Sequence, residues 1–198
     1  MERRALIELR GVDNREKLIS YIREHSFLRS DKMIYRLSSG KLSNFYFDLR
    51  LTTLSPEGQH LIGNLMYEKI KDLGLRPRAV GGLTMGADPV ATAVAYTSFL
   101  RGDPIEAFVI RKEPKAHGRG LQIEGNVNKG DDVVIVDDVL TTGASTIKAI
   151  KIAKETGLDV KAVFVVLDRC EQNGRENVER LGWPVYSLLS MEDFRQEQ

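Results

Sequence analysis

Apolar residues recur along the chain with two spacings, and the two alternate. Leu18, Ile19 and Ile22 fall on one face of a helix. The spacing predicts its start near Asp13, where Glu16 three residues on completes a capping box. Residues 33–52 read as extended segments around a turn at Ser38-Ser39-Gly40-Lys41. Ser55-Pro56-Glu57 is an N-cap with proline at the first helical position. The helix it opens carries Leu61, Ile62, Leu65, Met66, Tyr67 and Ile70, and Gly74 closes it. Four apolar runs, 79–83, 107–110, 133–136 and 160–167, then read as strands, and 185–189 as a fifth. Helical patterns near 88–100, 143–156 and 174–181 lie between them, with Gly102, Gly157 and Gly182 where such helices end. Strand and helix in alternation give an α/β class. Strands that are apolar throughout belong to a parallel sheet covered on both faces. Ligands of such sheets bind beyond the carboxyl ends of the strands. Those ends carry Thr84-Met85-Gly86, Arg111-Lys112, Asp137-Asp138 and Asp168-Arg169.

A length of 198 residues suits a single domain, 1–198, with a core that needs neither disulfide nor structural metal. The 29 Lys and Arg balance 28 Asp and Glu, giving a net charge of +1, unlike the basic excess of a generic nucleic-acid coat. The longest unbroken apolar run is the six residues 162–167; a membrane-spanning helix needs about 20. Met1-Glu2-Arg3-Arg4-Ala5-Leu6-Ile7-Glu8 has no apolar stretch of the secretory kind. The one cysteine, Cys170, can make no internal disulfide and no four-ligand zinc site. The expectation is a soluble protein of a reducing compartment, the cytoplasm, that binds neither membrane nor nucleic acid.

Candidate chemistry concentrates in Val133-Val134-Ile135-Val136-Asp137-Asp138-Val139-Leu140-Thr141-Thr142-Gly143-Ala144-Ser145-Thr146. An apolar strand ends in two carboxylates, and a loop of hydroxyls and glycine then opens a helix. Free N–H groups at a helix start, with hydroxyls beside them, suit a phosphate. Ionised carboxylates are pure acceptors and suit a vicinal diol. Phosphate at one end and diol at the other describe a ribose 5-phosphate. Neither a Walker G-x-x-x-x-G-K-[ST] nor a G-x-G-x-x-G fingerprint occurs. A second cluster, Arg111-Lys112-Glu113-Pro114-Lys115-Ala116-His117-Gly118-Arg119-Gly120, sets five basic or imidazole groups within nine residues. Pro114, Gly118 and Gly120 argue against a helix there.

The fourteen-residue string resembles the phosphoribosyl diphosphate motif of the type I phosphoribosyltransferases. That resemblance implies their fold: an α/β domain with a central parallel sheet flanked by helices and a small N-terminal hood. The hood would take about residues 1–53 and the binding core about 54–198. It also implies that Asp137 and Asp138 contact the ribose hydroxyls, while Val139, Leu140, Thr141, Thr142, Gly143, Ala144 and Ser145 hold the 5-phosphate.

Three further stretches are similar to the orotate phosphoribosyltransferases. Arg-Lys-x-x-Lys-x-His followed by Gln122-Ile123-Glu124-Gly125 resembles their mobile catalytic loop, which would direct Arg111, Lys112, Lys115 and His117 to the diphosphate, Lys115 and His117 as catalytic groups with the two aspartates. Ser39-Gly40-Lys41-Leu42-Ser43-Asn44-Phe45-Tyr46-Phe47-Asp48-Leu49-Arg50 resembles the hood segment whose aromatics line the base pocket, here Tyr46 and Phe47. Asp168-Arg169-Cys170-Glu171 resembles the D-R-x-E stretch whose arginine, with the first threonine of the phosphate loop, contacts orotate, here Arg169 and Thr141. Cys170 reads as filler at the variable position. Ser38 and Met85 stand where many bacterial members have lysine, and Asn44 where proline is usual.

The implied activity makes orotidine 5′-monophosphate and diphosphate from orotate and phosphoribosyl diphosphate, a step of de novo pyrimidine (UMP) biosynthesis. Mg²⁺ would be the cofactor, held mainly through the diphosphate and water, with no direct protein ligands. A homodimer is implied, in which the loop about 111–125 reaches the neighbouring site. Two other readings share the motif: a phosphoribosyltransferase for another base, and a regulator that senses phosphoribosyl diphosphate while binding nucleic acid. The Gln-Ile-Glu-Gly stretch and Arg169 favour orotate over the first, and the +1 charge argues against the second.

Overall fold

The computed structural model describes residues 13–36, 42–113 and 122–195. Lys115, His117 and the turn at Ser38-Ser39-Gly40-Lys41 lie outside the described residues. Helix α1 (Asn14–His25) is capped by the Asp13 side chain, which accepts from the Arg15 amide, and it buries Leu18, Ile19 and Ile22. Four short strands follow: β1 (Phe27–Arg29), β2 (Tyr35–Arg36), β3 (Leu42–Ser43) and β4 (Phe45–Phe47). β1 pairs with β4 and β2 with β3, both antiparallel and both outside the large sheet. The extended reading to residue 52 is corrected by helix α2 (Arg50–Thr53). Leu49, Thr52 and Thr53 are buried there, and Thr52 Oγ1 hydrogen-bonds Ser26 Oγ at 2.6 Å. Tertiary packing thus turns the chain where local pattern gave no stop. Helix α3 (Pro56–Asp72) has Ser55 Oγ accepting from the Gly58 amide, and Gly74 follows at φ 70°.

The central sheet contains β5 (Ala79–Leu83), β6 (Glu106–Ile110), β7 (Ile123–Gly125), β8 (Asp132–Leu140), β9 (Asp159–Asp168) and β10 (Val185–Ser190), in the order β10-β9-β8-β5-β6-β7. Helices α4 (Ala87–Leu100), α5 (Ala144–Glu155) and α6 (Gly174–Glu179) connect its strands, and α7 (Glu192–Arg195) follows β10. The ladder is parallel from β10 to β6, but β7 runs antiparallel to β6, with Ile123 opposite Ile110. The sheet is therefore mixed rather than wholly parallel. A strand laid back on its predecessor as a hairpin pairs antiparallel, whereas a parallel neighbour needs a crossover. The stretch expected as loop, 111–125, accordingly ends in sheet.

Successive residues of a strand face opposite sides, and the core divides on that period. Val134, Val136, Phe164 and Val166 pack with Ile62, Met66, Val90 and Val94 of α3 and α4. Val133, Ile135, Val163 and Val165 pack with Ala149, Ile150 and Ala153 of α5. Burial on both faces explains why these strands are apolar throughout, and it fixes the sheet that carries the acids. No helix among the described residues is long and apolar enough to cross a membrane.

Candidate active site

The sequence ends the third strand at Val136, but β8 continues to Leu140. Its partner β9 is long enough to set Asp137 opposite Val165, Val139 opposite Leu167 and Leu140 opposite Asp168. Asp137 and Asp138 are therefore strand residues, held by the ladder. Asp137 Oδ2 accepts from Ser145 Oγ at 2.8 Å and Thr146 Oγ1 at 3.2 Å, and its Oδ1 accepts from the Asp138 amide at 3.1 Å. Asp138 Oδ1 accepts from the Val139 amide at 2.8 Å. A β-carbon on Gly86 would stand 2.6 Å from Asp138 Oδ1 and 2.9 Å from Asp137 Oδ1. Only glycine lets the turn after β5 close on the acid pair.

The loop from Thr141 to Gly143 joins the acids to α5. Gly143 takes φ 78°, and Ala144 opens the helix with its amide 3.3 Å from Thr142 Oγ1. First-turn amides lack intrahelical acceptors and carry the positive end of the helix dipole, so this end can bind an anion.

The structure brings other expected residues to the same edge. The Arg169 amide donates to the Leu140 carbonyl at 3.0 Å, which joins the end of β9 to the root of the Thr141 loop. Arg169 is 5% exposed. Its Nη2 lies 3.3 Å from Glu171 Oε1, and its buried Nε has no protein acceptor among the described residues. Cys170 Sγ lies 3.7 Å from the Asp168 carbonyl oxygen, and desolvation, then Asp168, pushes its thiol pKa up, away from nucleophilic use. Arg111 is anchored at the end of β6: its amide donates to the Gln122 carbonyl at 2.8 Å, and its guanidinium lies 3.7 Å from Glu124. Lys112 is exposed, and its carbonyl accepts from Lys148 Nζ of α5 at 2.9 Å.

The two β4 aromatics expected at the base pocket, Tyr46 and Phe47, part company. Tyr46 is half-buried and stacks on Tyr35, with ring centres 6.0 Å apart. Phe47 is buried among Phe27 and Phe194 at 4.7 and 5.1 Å. Phe47 thus sits in the core cluster: on a strand of period two, it faces inward when Tyr46 faces outward.

Arg50 is a site residue that the sequence reading left without a role. It donates to Asp48 from Nε at 3.0 Å, and Asp48, then Tyr46 and Asp138, raise its pKa. It lines a cavity of about 630 Å³ with Leu54, Gln59, Met85, Asp88 and Thr92. The Asp-x-Arg spacing within the quoted hood segment was its only signal.

Burial, then the charge of Asp138, pushes the Asp137 pKa up to about 7, against the hydroxyls of Ser145 and Thr146. Burial also raises Asp138, with Arg50 pulling the other way. A carboxyl whose folded pKa lies above its unfolded value stabilises the fold only while protonated. Stability of the ligand-free protein should therefore fall between about pH 4 and 7. Asp137→Asn, neutral throughout, should flatten that decline. Calorimetric Tm values at pH 5 and pH 8 check this; parallel losses in wild type and variant would discard the buried-acid account.

Among known proteins, the phosphoribosyl transferase domain family matches residues 54–184. The orotate phosphoribosyltransferase of Aquifex aeolicus is 50% identical over 179 residues, covering 90% of this chain and 96% of that one. A crystal structure of Mycobacterium tuberculosis orotate phosphoribosyltransferase with Fe(III) dicitrate superposes with TM-score 0.81 at 38% identity, covering 92% and 99% of the two chains. The same enzyme in complex with phosphoribosyl diphosphate gives TM-score 0.75 at 37% identity, covering 91% and 98%. The family match spans more than half of the chain and the identity extends over nine-tenths of it, so the chain belongs to the orotate phosphoribosyltransferases of the phosphoribosyl transferase domain family.

Proposed function

We propose that this chain is an orotate phosphoribosyltransferase of pyrimidine biosynthesis that transfers the ribose 5-phosphate of phosphoribosyl diphosphate to orotate. The observation that carries this reading is the meeting of the acid pair, the start of α5 and Arg169 at one sheet edge, with the Arg169 amide on the Leu140 carbonyl. The acids suit the ribose hydroxyls, and Thr141, Thr142, Gly143, Ala144 and Ser145, with the adjoining Val139 and Leu140, suit the 5-phosphate. Arg169 and Thr141 suit the orotate carboxylate, for which a guanidinium with an unused buried donor is a fitting partner. Tyr46, half-buried on β4, would line the base side of the site.

In the reaction, a ring nitrogen of orotate forms a bond to C1 of the ribose as the C1–O bond to diphosphate breaks. Diphosphate leaves with the electron pair, the proton of that ring nitrogen is released to diphosphate or water, and no enzyme nucleophile is needed. Asp137 and Asp138 hold the sugar and favour positive charge developing on it. Arg111 and Lys112 receive the diphosphate in their own subunit. The carboxylates of Asp137 and Asp138 already accept hydroxyl and amide bonds. They fit Mg²⁺ carried on diphosphate and water, its usual preference. Bound there, Mg²⁺ would neutralise charge on the leaving group. Mixing orotate, phosphoribosyl diphosphate and Mg²⁺ should change the orotate absorbance. No turnover with orotate, or turnover with a purine base in its place, would overturn the reading.

The same reading includes a cytoplasmic homodimer, with a hood over about 1–53 and a core over about 54–198. Lys115 and His117 of each subunit would reach the neighbour's site. A heterodimer of a Lys115→Ala chain and an Asp137→Asn/Asp138→Asn chain would then have one doubly defective site and one intact site. Mixing the two weak homodimers should restore activity to about half of wild type per heterodimer. Heterodimers detected by mass without recovered activity would assign the loop to its own subunit.

A further inference from the structure

Helix α6 lies against the loops that leave β8 and β9. A β-carbon on Gly174 would stand 2.4 Å from the Thr141 carbonyl oxygen, and one on Gly143 would stand 2.9 Å from the Gly174 carbonyl oxygen. That close approach puts Asn177 within reach of both loops. Its Nδ2 lies 3.0 Å from the Thr142 carbonyl oxygen and 3.3 Å from the Gln172 carbonyl oxygen. Both partners are acceptors, so the group between them is the amide NH₂, which has two hydrogens to give.

The two carbonyls belong to different parts of the site. Thr142 is in the phosphate loop. Gln172 is in the turn that follows Arg169, where Cys170, Gln172 and Asn173 take φ 51°, 53° and 54°. Asparagine enters that left-handed conformation readily, but Cys170 and Gln172 hold it only when their surroundings favour it. Asp168 supplies part of the restraint, accepting from the Cys170 amide at 2.9 Å and from Arg175 Nε at 2.9 Å. Those bonds tie the turn to β9 and α6. Asn177 carries the restraint across to the loop after β8.

We propose that Asn177 is a positioning residue that ties the phosphate loop to the Arg169 turn and so sets the spacing between the phosphate and base ends of the site. This rests on the reading of those two loops given under Proposed function. Transfer requires donor and acceptor held at near-attack distance, so slack between their binding loops costs rate as well as affinity.

The test compares wild type with Asn177→Ala, Asn177→Asp and Asn177→Gln. Asn177→Asp keeps the shape but turns acceptor oxygens toward two carbonyls; Asn177→Gln keeps the donor on a longer arm. The readouts are kcat, KM for orotate and for phosphoribosyl diphosphate, Tm, and Kd for ribose 5-phosphate by calorimetry. In Asn177→Ala and Asn177→Asp both KM values should rise about three- to tenfold, with a lower kcat. The Kd for ribose 5-phosphate should weaken in step, and Asn177→Gln should recover part of the loss. Unchanged KM values, whether or not Tm falls, would reduce Asn177 to a purely structural role and overturn the proposal. A shift confined to one substrate would also overturn it, because a tie must move both ends. Wild type inactive with orotate would instead refute the assigned reaction, leaving the ribose 5-phosphate Kd to decide for or against the tie.

Discussion

The double variant Asp137→Asn/Asp138→Asn should lose about thirty- to thousandfold in kcat/KM for phosphoribosyl diphosphate. Each charge-assisted bond exchanged for a neutral one costs about 1–2 kcal/mol, and two neighbouring losses need not simply add. Fold loss is separable from this effect, because burial disfavours the ionised form of both acids. Removing their charge should hold or raise Tm at pH 8 while activity collapses. Steady-state kinetics beside calorimetry read both quantities on one preparation. Kinetics within twofold of wild type would take the acid pair out of the site, and a Tm that falls with activity would make its role structural.

Arg169→Ala should raise the KM for orotate about ten- to hundredfold and leave that for phosphoribosyl diphosphate near its original value. A lost charge-assisted contact of about 1.5–3 kcal/mol gives that range. Arg169→Lys should recover little, since an ammonium keeps the charge but lacks the planar fork that meets a carboxylate with two bonds. The inverse pattern, with affinity for phosphoribosyl diphosphate lost and orotate affinity kept, would reassign Arg169 to the diphosphate.

Elements set by local signals were legible in the sequence. The Asp13 and Ser55 caps and the apolar spacing of Leu18, Ile19 and Ile22 are written within one or two turns of chain, and α1 and α3 start where they indicate. Elements set by pairing were not. β7 is three residues long and exists through its ladder to β6, and β8 runs past Val136 because β9 offers partners as far as Asp168. The candidate site divides the same way. Asp137, Thr141 and Ser145 stood out because one string holds strand, acids and loop. Tyr46 and Phe47 take opposite faces of β4, but which face meets the core depends on Phe27 and Phe194, far apart in the chain. Asn177 left no trace, because its partners are main-chain carbonyls, which every residue has.

The short strands β1 and β4 pair with each other and take no place in the six-stranded sheet. Substitutions around Tyr46 therefore change side chains of the ribbon without breaking a rung of the ladder that holds Asp137 and Asp138. Asp137 and Asp138 sit on a strand inside the buried sheet, whereas Tyr46 sits on a two-stranded ribbon packed by an aromatic cluster. On the proposed reading such an architecture is modular in an evolutionary sense: acceptor preference can drift, or be engineered, by rewriting the ribbon while the donor site is inherited intact.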